Sequence, residues 1–442
     1  MGASDRSWRF FVGIGSIHFI QHVFRILPPV LPILALDFQV PLWQLGGLVS
    51  IYFLGSGLGQ APAGILADHY DRQLLLPPSI GVMGLGYLVV ATAPWLGDSS
   101  TTVVLFSTSF TLPYLLIALG VFVAGLGAST IHPAGYPLVA ANVRAGQTGR
   151  AFGAWGSGAK LGDAAAPLSV AVLVLWLRWD HIFLLFGLVG LVYAALLFSM
   201  MAGAGMDSRP GARRVGTDHE QRRPGQEGEA AADPRRYAYP MVALFVFFVA
   251  RAFSEKGLKA FLPTFLVIVY AYSFSFGSIH LPPESFANLY FTAVFLVAAG
   301  VQLLTGELVD RYDHRLVLVT FLLGATGAVL ALATGTLSPV ILLIVLIVLG
   351  VTNWGWTPAR DALVNEITPA AREGRTFGYL HTVSHLASAI APLAIGYLAD
   401  QGGLLRSFVV LGFVVLIAVA SIGVLFSRRV YLRGDPRPSG TS

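Results

Sequence analysis

Apolar runs of roughly 20 residues, the length that crosses about 30 Å of hydrocarbon as a helix, recur along the whole chain. They begin near Trp8, Leu42, Leu74, Leu112, Ala151, His181, Tyr237, Phe286, Leu316, Pro339, Thr376 and Leu404. Open strands would leave amide groups unpaired in lipid, and the alternation of a membrane barrel is absent, so each run is expected to be a helix. Composition agrees. Of 442 residues 55% are hydrophobic and 12% charged, against about 25% charged in a soluble domain. Much of the surface must then face lipid. There is no cysteine, which removes a disulfide framework and a thiolate metal site. The net charge of +5 would suit nucleic acid, but the arginines lie in short gaps between apolar runs, where cytoplasmic loops carry them. The first run is too long for a cleavable signal peptide and lacks a small-residue cleavage site.

The basic residues alternate from gap to gap. Arg6, Arg9, Arg72, Arg144, Arg150, Arg311, Arg315, Arg372, Arg375 and Arg428 fall on one side, with the middle segment; only Arg178 and Arg406 fall on the other. This pattern puts both termini in the cytoplasm. Residues 1–203 read as a six-helix half, 204–236 as a flexible cytoplasmic linker rich in Gly, Pro, Arg and Glu, 237–427 as a second six-helix half, and 428–442 as a cytoplasmic tail.

The two halves repeat each other. Gly64-Ile-Leu-Ala-Asp68-His-Tyr-Asp71-Arg72 recurs as Gly306-Glu-Leu-Val-Asp310-Arg-Tyr-Asp313-His314-Arg315. Pro133, Gly149, Arg150, Phe152, Gly153 and Pro167 match Pro358, Gly374, Arg375, Phe377, Gly378 and Pro392, each pair 225 positions apart. The loop motif repeats at 242, so the first half carries 17 extra residues around Leu96 to Thr111, in an expected external loop where insertion is cheap. Parallel six-helix repeats are a secondary-transporter arrangement.

Gly64-x-x-x-Asp68-x-x-x-Arg72, found in both halves, resembles the loop motif of the major facilitator superfamily. A closer resemblance is to the fosmidomycin-resistance branch. It rests on Ser16-Ile-His18-Phe with Pro29 and Pro32, on Gln60-x-Pro62-x-Gly64, and on His132-Pro133 ending helix four, followed by Gly158-x-x-x-Gly162 and Pro167. The resemblance implies an all-α membrane protein of about 12 helices, an inner-membrane location and proton-coupled drug export. This chain departs from the branch pattern: His22 and Ala134 stand where the pattern has acids, Lys160 where it has Asn, and Ala166 where it has Gly.

Ionisable residues inside spans are costly and mark function. Helix one carries His18, His22 and Arg25 at spacings that share one face. Helix five carries Lys160 and Asp163, helix seven Arg251, Glu255, Lys256 and Lys259, and helix eleven His381 and His385. The chain's three lysines, 160, 256 and 259, all fall in spans, while every loop uses arginine. Cations outnumber acids here, so an anion should offset them. Arg25, His22, Lys160, Lys259 and His385 are the expected substrate contacts. His18, His22, Asp163, Glu255 and His385 are the expected carriers of coupling protons. The competing reading pairs Lys160 with Asp163 and Lys256 or Lys259 with Glu255. Gly64, Asp68, Arg72, Gly306, Asp310, Arg315 and Asp361, the last with Arg360 at the end of helix ten, are expected to gate rocking of the halves through charge pairs and helix dipoles. For His132 a proline-freed carbonyl is the simpler partner.

His18/His22 and His381/His385 have metal-ligand spacing, but no acidic cluster joins them, so no metal is expected. The glycine runs near Gly55 and Gly156 lack the strand-turn-helix context of phosphate loops. No catalytic motif is present and no cofactor is implied. The expected function is secondary active transport by alternating access: proton-exchanging efflux of a small anionic organic compound by a monomer in the cell membrane. Proton-symport uptake of a carboxylate or phosphonate, and a non-transporting receptor on the same fold, are the alternatives.

Overall fold

The computed structural model describes residues 15–96, 100–105, 107–143, 148–202, 234–277, 279–368 and 373–427. The first apolar run before residue 15, most of the expected linker and the expected tail lie outside them. The chain is mostly helical. Residues 15–23 form α1, followed by α2 (Leu27–Phe38), α3 (Leu42–His69), α4 (Arg72–Ala91), α5 (Ala93–Leu96), α6 (Leu112–Ala128), α7 (Ile131–Asn142), α8 (Thr148–Leu173) and α9 (Trp179–Ala202). Then come α10 (Pro234–Phe265), a π turn (Leu266–Tyr270), α11 (Pro283–Arg311), α12 (His314–Leu332), α13 (Pro339–Trp354), α14 (Thr357–Ile367) and α15 (Glu373–Val424). Among the described residues eight helical stretches are long and apolar enough to cross a membrane, from Gly15–Phe38 to Tyr379–Val424. The last is 46 residues long and turns at Gly403, whose φ of 81° favours glycine.

Among the described residues two antiparallel hairpins interrupt the helices. β1 (Thr102–Leu105) pairs with β2 (Thr108–Thr111), inside the extra stretch of the first half. β3 (Phe274–Phe276) pairs with β4 (Ile279–Leu281) in a connection of the second half.

By contacts the chain forms two compact units. The first holds residues 1–220 with Lys259–Leu296 and Pro392–Leu404; the second holds Gln221–Leu258, Val297–Ala391 and Leu405–Ser442. In the first unit α4 packs on α6 and α9, and α3 on α6. The approach is close because of glycine: a Cβ on Gly86 would stand 2.4 Å from the Gly120 carbonyl oxygen, and one on Gly120 2.5 Å from that of Gly86. Small residues at such crossings let helices pack without a hydrophobic drive in lipid. In the second unit Phe247, Leu318, Leu322, Trp356, Leu363 and Val415 build one buried cluster.

Helix ends differ from expectation at three places. The face joining His18, His22 and Arg25 is not continuous: helix stops at Val23, and Phe24–Ile26 form a break before α2. Pro28 and Pro29 cannot donate to the carbonyls of Phe24 and Arg25. Tyr87 Oη instead donates to the Phe24 carbonyl, and Asn288 Nδ2 donates to the Pro29 carbonyl at 3.0 Å. Likewise His132-Pro133 does not end a helix. It opens α7, where proline fits the first turn because its missing N–H has no acceptor there. Asp361 also does not end helix ten: it lies within α14.

Candidate functional site

The first unit gathers six of the expected substrate and proton-coupling residues. Gly162 makes this possible. A Cβ there would meet the Phe19 carbonyl oxygen at 2.4 Å and His22 Cβ at 2.6 Å, so α8 approaches α1 only as glycine. One residue further on, Asp163 is buried at 3% exposure. Three groups converge on its carboxylate: Lys259 Nζ at 2.7 Å from Oδ1, His22 Nδ1 at 2.9 Å from Oδ1, and Lys160 Nζ at 3.6 Å from Oδ2. Lys259 Nζ also stands 4.7 Å from the centroid of the Phe295 ring. The expected internal pairing of Lys160 with Asp163 is therefore present, and Lys259 also pairs with Asp163.

Arg25 occupies the break between α1 and α2, where its charge is felt by His18, His22 and Tyr52. Its Nε makes no hydrogen bond among the described residues. His18 is held on two sides. Its ring stacks on Trp155 at 4.2 Å and 19°, and Nδ1 lies 2.7 Å from the Trp155 carbonyl oxygen. A Cβ on Gly135 would collide with the Trp155 ring at 2.6 Å, so that glycine seats the indole.

The second unit holds the others. Lys256 Nζ donates to Glu255 Oε1 at 3.1 Å, and the charge of Lys256 reaches the exposed His385. Arg251 is almost fully buried. It donates to Ser254 Oγ and to the Asn353 carbonyl, both at 3.0 Å, and its guanidinium lies 4.8 Å from the Trp356 ring centroid. That bond ties α10 to the end of α13.

Most of the expected gating residues lie near helix ends, Asp361 within α14. In the first unit Arg72 Nε donates to the Ala67 carbonyl at 3.0 Å and its Nη2 stands 3.9 Å from Asp68 Oδ1, while Asp71 caps α4 through the Gln73 amide. In the second unit Asp313 caps α12 through the Arg315 amide at 2.8 Å. Arg315 Nη1 donates to the Leu425 carbonyl at 2.9 Å, just past the end of α15. The hydrogen bonds from Arg315 hold the Asp313 carboxyl below the usual carboxylate range. Asp361 accepts from its neighbour Arg360 at 2.8 Å. Gly306 and Asp310 lie in the last turns of α11; their side chains are outside the described ones.

Sequence reasoning missed Asp400. Its two carboxylate oxygens accept the amides of Leu42 at 2.8 Å and Trp43 at 2.9 Å, which caps the start of α3. Gly396 lets the chains meet there, since its Cβ would stand 2.4 Å from the Leu42 carbonyl oxygen. The repeat offered no signal for Asp400, because the contact joins segments that are not repeats of each other. Among the described residues no group of three or more His, Cys, Asp or Glu side chains could hold a metal.

The sequence is similar to that of the uncharacterised MFS-type transporter YfnC of Bacillus subtilis, at 22% identity over 412 residues, 92% of this chain and 90% of that protein. It is also 30% identical over 130 residues to the probable sulfoacetate transporter SauU of Cupriavidus necator, covering 29% of this chain and 30% of that one. The fold matches that of a bacterial homologue of the human lysosomal transporter Spinster in an inward-facing and occupied conformation. The TM-score is 0.73 at 16% identity, over 97% of this chain and 98% of that one; at that identity the likeness speaks for the fold alone. The Major Facilitator Superfamily pattern is matched over residues 17–283 and 278–441. The chain belongs to the major facilitator superfamily and is a multi-pass membrane transporter, not an enzyme.

Proposed function

We propose that the protein carries a small organic anion across the membrane together with protons, and that Asp163 is where the two are coupled. The observation behind this reading is that one buried carboxylate is shared by Lys259, Lys160 and His22. Arg25, Lys160 and Lys259, all partly buried, outnumber Asp163 at this place, and a surplus of partly desolvated cations favours an incoming anion.

This arrangement supports one sign of coupling. An anionic substrate competes with Asp163 for the two ammonium groups. A proton on Asp163 removes that competitor and releases both lysines. Linkage is reciprocal, so bound anion must in turn favour protonation. Proton and anion then bind together and travel together. Exchange would instead require them to exclude each other. The linkage thus favours symport over the proton-exchanging efflux that the fosmidomycin-resistance resemblance implies. The name of SauU, a probable sulfoacetate transporter, adds support, because sulfoacetate is a small organic anion with carboxylate and sulfonate groups.

The test uses purified protein in liposomes with a pH dye trapped inside and sulfoacetate added outside. Symport requires internal acidification that follows the anion inward and disappears in Asp163→Asn. Internal alkalinisation would support exchange. Anion binding without any flux would support a receptor.

A further inference from the structure

We propose that His132 is the inlet of a proton path that reaches Asp163 through His18 and His22. The inference rests on the reading of Asp163 as the coupling carboxylate and adds how its proton arrives.

The three imidazoles form a contact series across α7 and α1. His132 and His18 stand 5.4 Å apart between ring centroids at 80°, and His18 and His22 stand 4.9 Å apart at 88°. His22 Nδ1 then meets Asp163 Oδ1 at 2.9 Å. Centroids about 5 Å apart leave ring nitrogens within reach of each other directly or through one water, the range in which protons transfer. The series runs from outside to inside. His132 is partly exposed and stacks at 5.3 Å on Tyr136, itself 45% exposed; His18 is 4% and His22 7% exposed.

The tautomer of His18 is set by its partner. The Trp155 carbonyl oxygen, 2.7 Å from Nδ1, can only accept, so Nδ1 carries the hydrogen. In the neutral ring Nε2 is then a bare acceptor. It is buried and has no hydrogen-bond partner among the described residues, while the stack on Trp155 keeps the ring plane fixed. Structure alone gives such a nitrogen nothing to do; a passing proton does.

The steps balance. A proton on His132 moves to His18 Nε2 and forms an imidazolium. His18 returns it from the same nitrogen to His22 Nε2, since Nδ1 stays bonded to the carbonyl. His22 releases its Nδ1 hydrogen to Asp163 Oδ1. All three imidazoles end neutral, His22 as the other tautomer, and Asp163 ends as the acid, freeing Lys259. The charged groups facing this path are Arg25 in the break between α1 and α2, Lys160 and Asp163 on α8, and Lys259 of α10 through Asp163.

The stack supplies the reporter, because a protonated His18 quenches the Trp155 indole. Purified protein is given a proton pulse from a photoacid, and the signal lost in Trp155→Phe is followed in time. His132→Gln should slow the Trp155 response at least about tenfold and leave its final amplitude unchanged. Tyr136→Phe should leave both unchanged. An unchanged rate in His132→Gln overturns the path, and so does a wild-type Trp155 signal that ignores pH. If His132→Gln does not fold, His132→Asn and His132→Lys are read in the same way, Lys restoring the rate because it too can carry a proton. No substrate is needed, so this result stands apart from the flux test of symport.

Discussion

Lys259 and Asp163 lie 96 positions apart in the chain, yet Nζ of the first stands 2.7 Å from Oδ1 of the second. This bond joins a segment following the expected linker to α8 of the first half, and both residues fall in the first compact unit. Any anion that takes Lys259 must displace Asp163 or wait for its proton. The proposed coupling follows from that competition.

Gly162 holds the geometry together. In Gly162→Ala the new Cβ lands against Phe19 and His22, and overpacking of this kind costs about 1–3 kcal/mol. Thermal unfolding in detergent should show the loss. Gly158→Ala, whose nearest contact would be 3.6 Å away, should unfold as wild type does. Equal stability of the two variants would mean that α1 and α8 do not need the glycine.

Asp400 caps the amides of Leu42 and Trp43. Losing such a cap costs about 1 kcal/mol. Hydrogen-exchange mass spectrometry of the peptide starting at Leu42 should show exchange about fivefold faster in Asp400→Ala. Protection equal to wild type would remove Asp400 from the junction.

Asp313 gives a pH signature outside the spans. Hydrogen bonds from Arg315 depress its carboxyl, so its contribution to stability is complete above the unfolded value near 4 and is lost as pH falls through the lower folded value. Asp313→Asn should destabilise the protein at neutral pH and flatten the acid side of its unfolding profile. Parallel profiles for variant and wild type below about pH 4 would contradict this. The side chain is 41% exposed, so the effect should weaken in high salt.

Much of this architecture is legible in the chain itself. Apolar runs and the doubled Gly64/Gly306 motif point to a helical transporter because lipid forbids open backbone. His22, Arg25, Lys160 and Lys259 stand out because charge is rare in spans. Their partners are harder to read. Lys160 with Asp163 is a local spacing, whereas Lys259 with Asp163 depends on which helices meet. The break at Arg25 was hidden because spacing alone assumes a continuous helix, although Pro28 and Pro29 carried the signal. His132 looked like a proline accessory; its place beside His18 follows from how α7 packs on α1, which no periodicity reports. Asp400 acts through backbone amides, and those leave no mark in sequence.

The central claim is that anion binding draws a proton onto Asp163. Calorimetric titration of sulfoacetate into the purified protein, repeated at one pH in buffers of different ionisation enthalpy, counts protons taken up on binding. The account requires uptake approaching one proton per anion where Asp163 starts ionised, and no uptake in Asp163→Asn. Binding with no proton exchange, or with proton release, would contradict it.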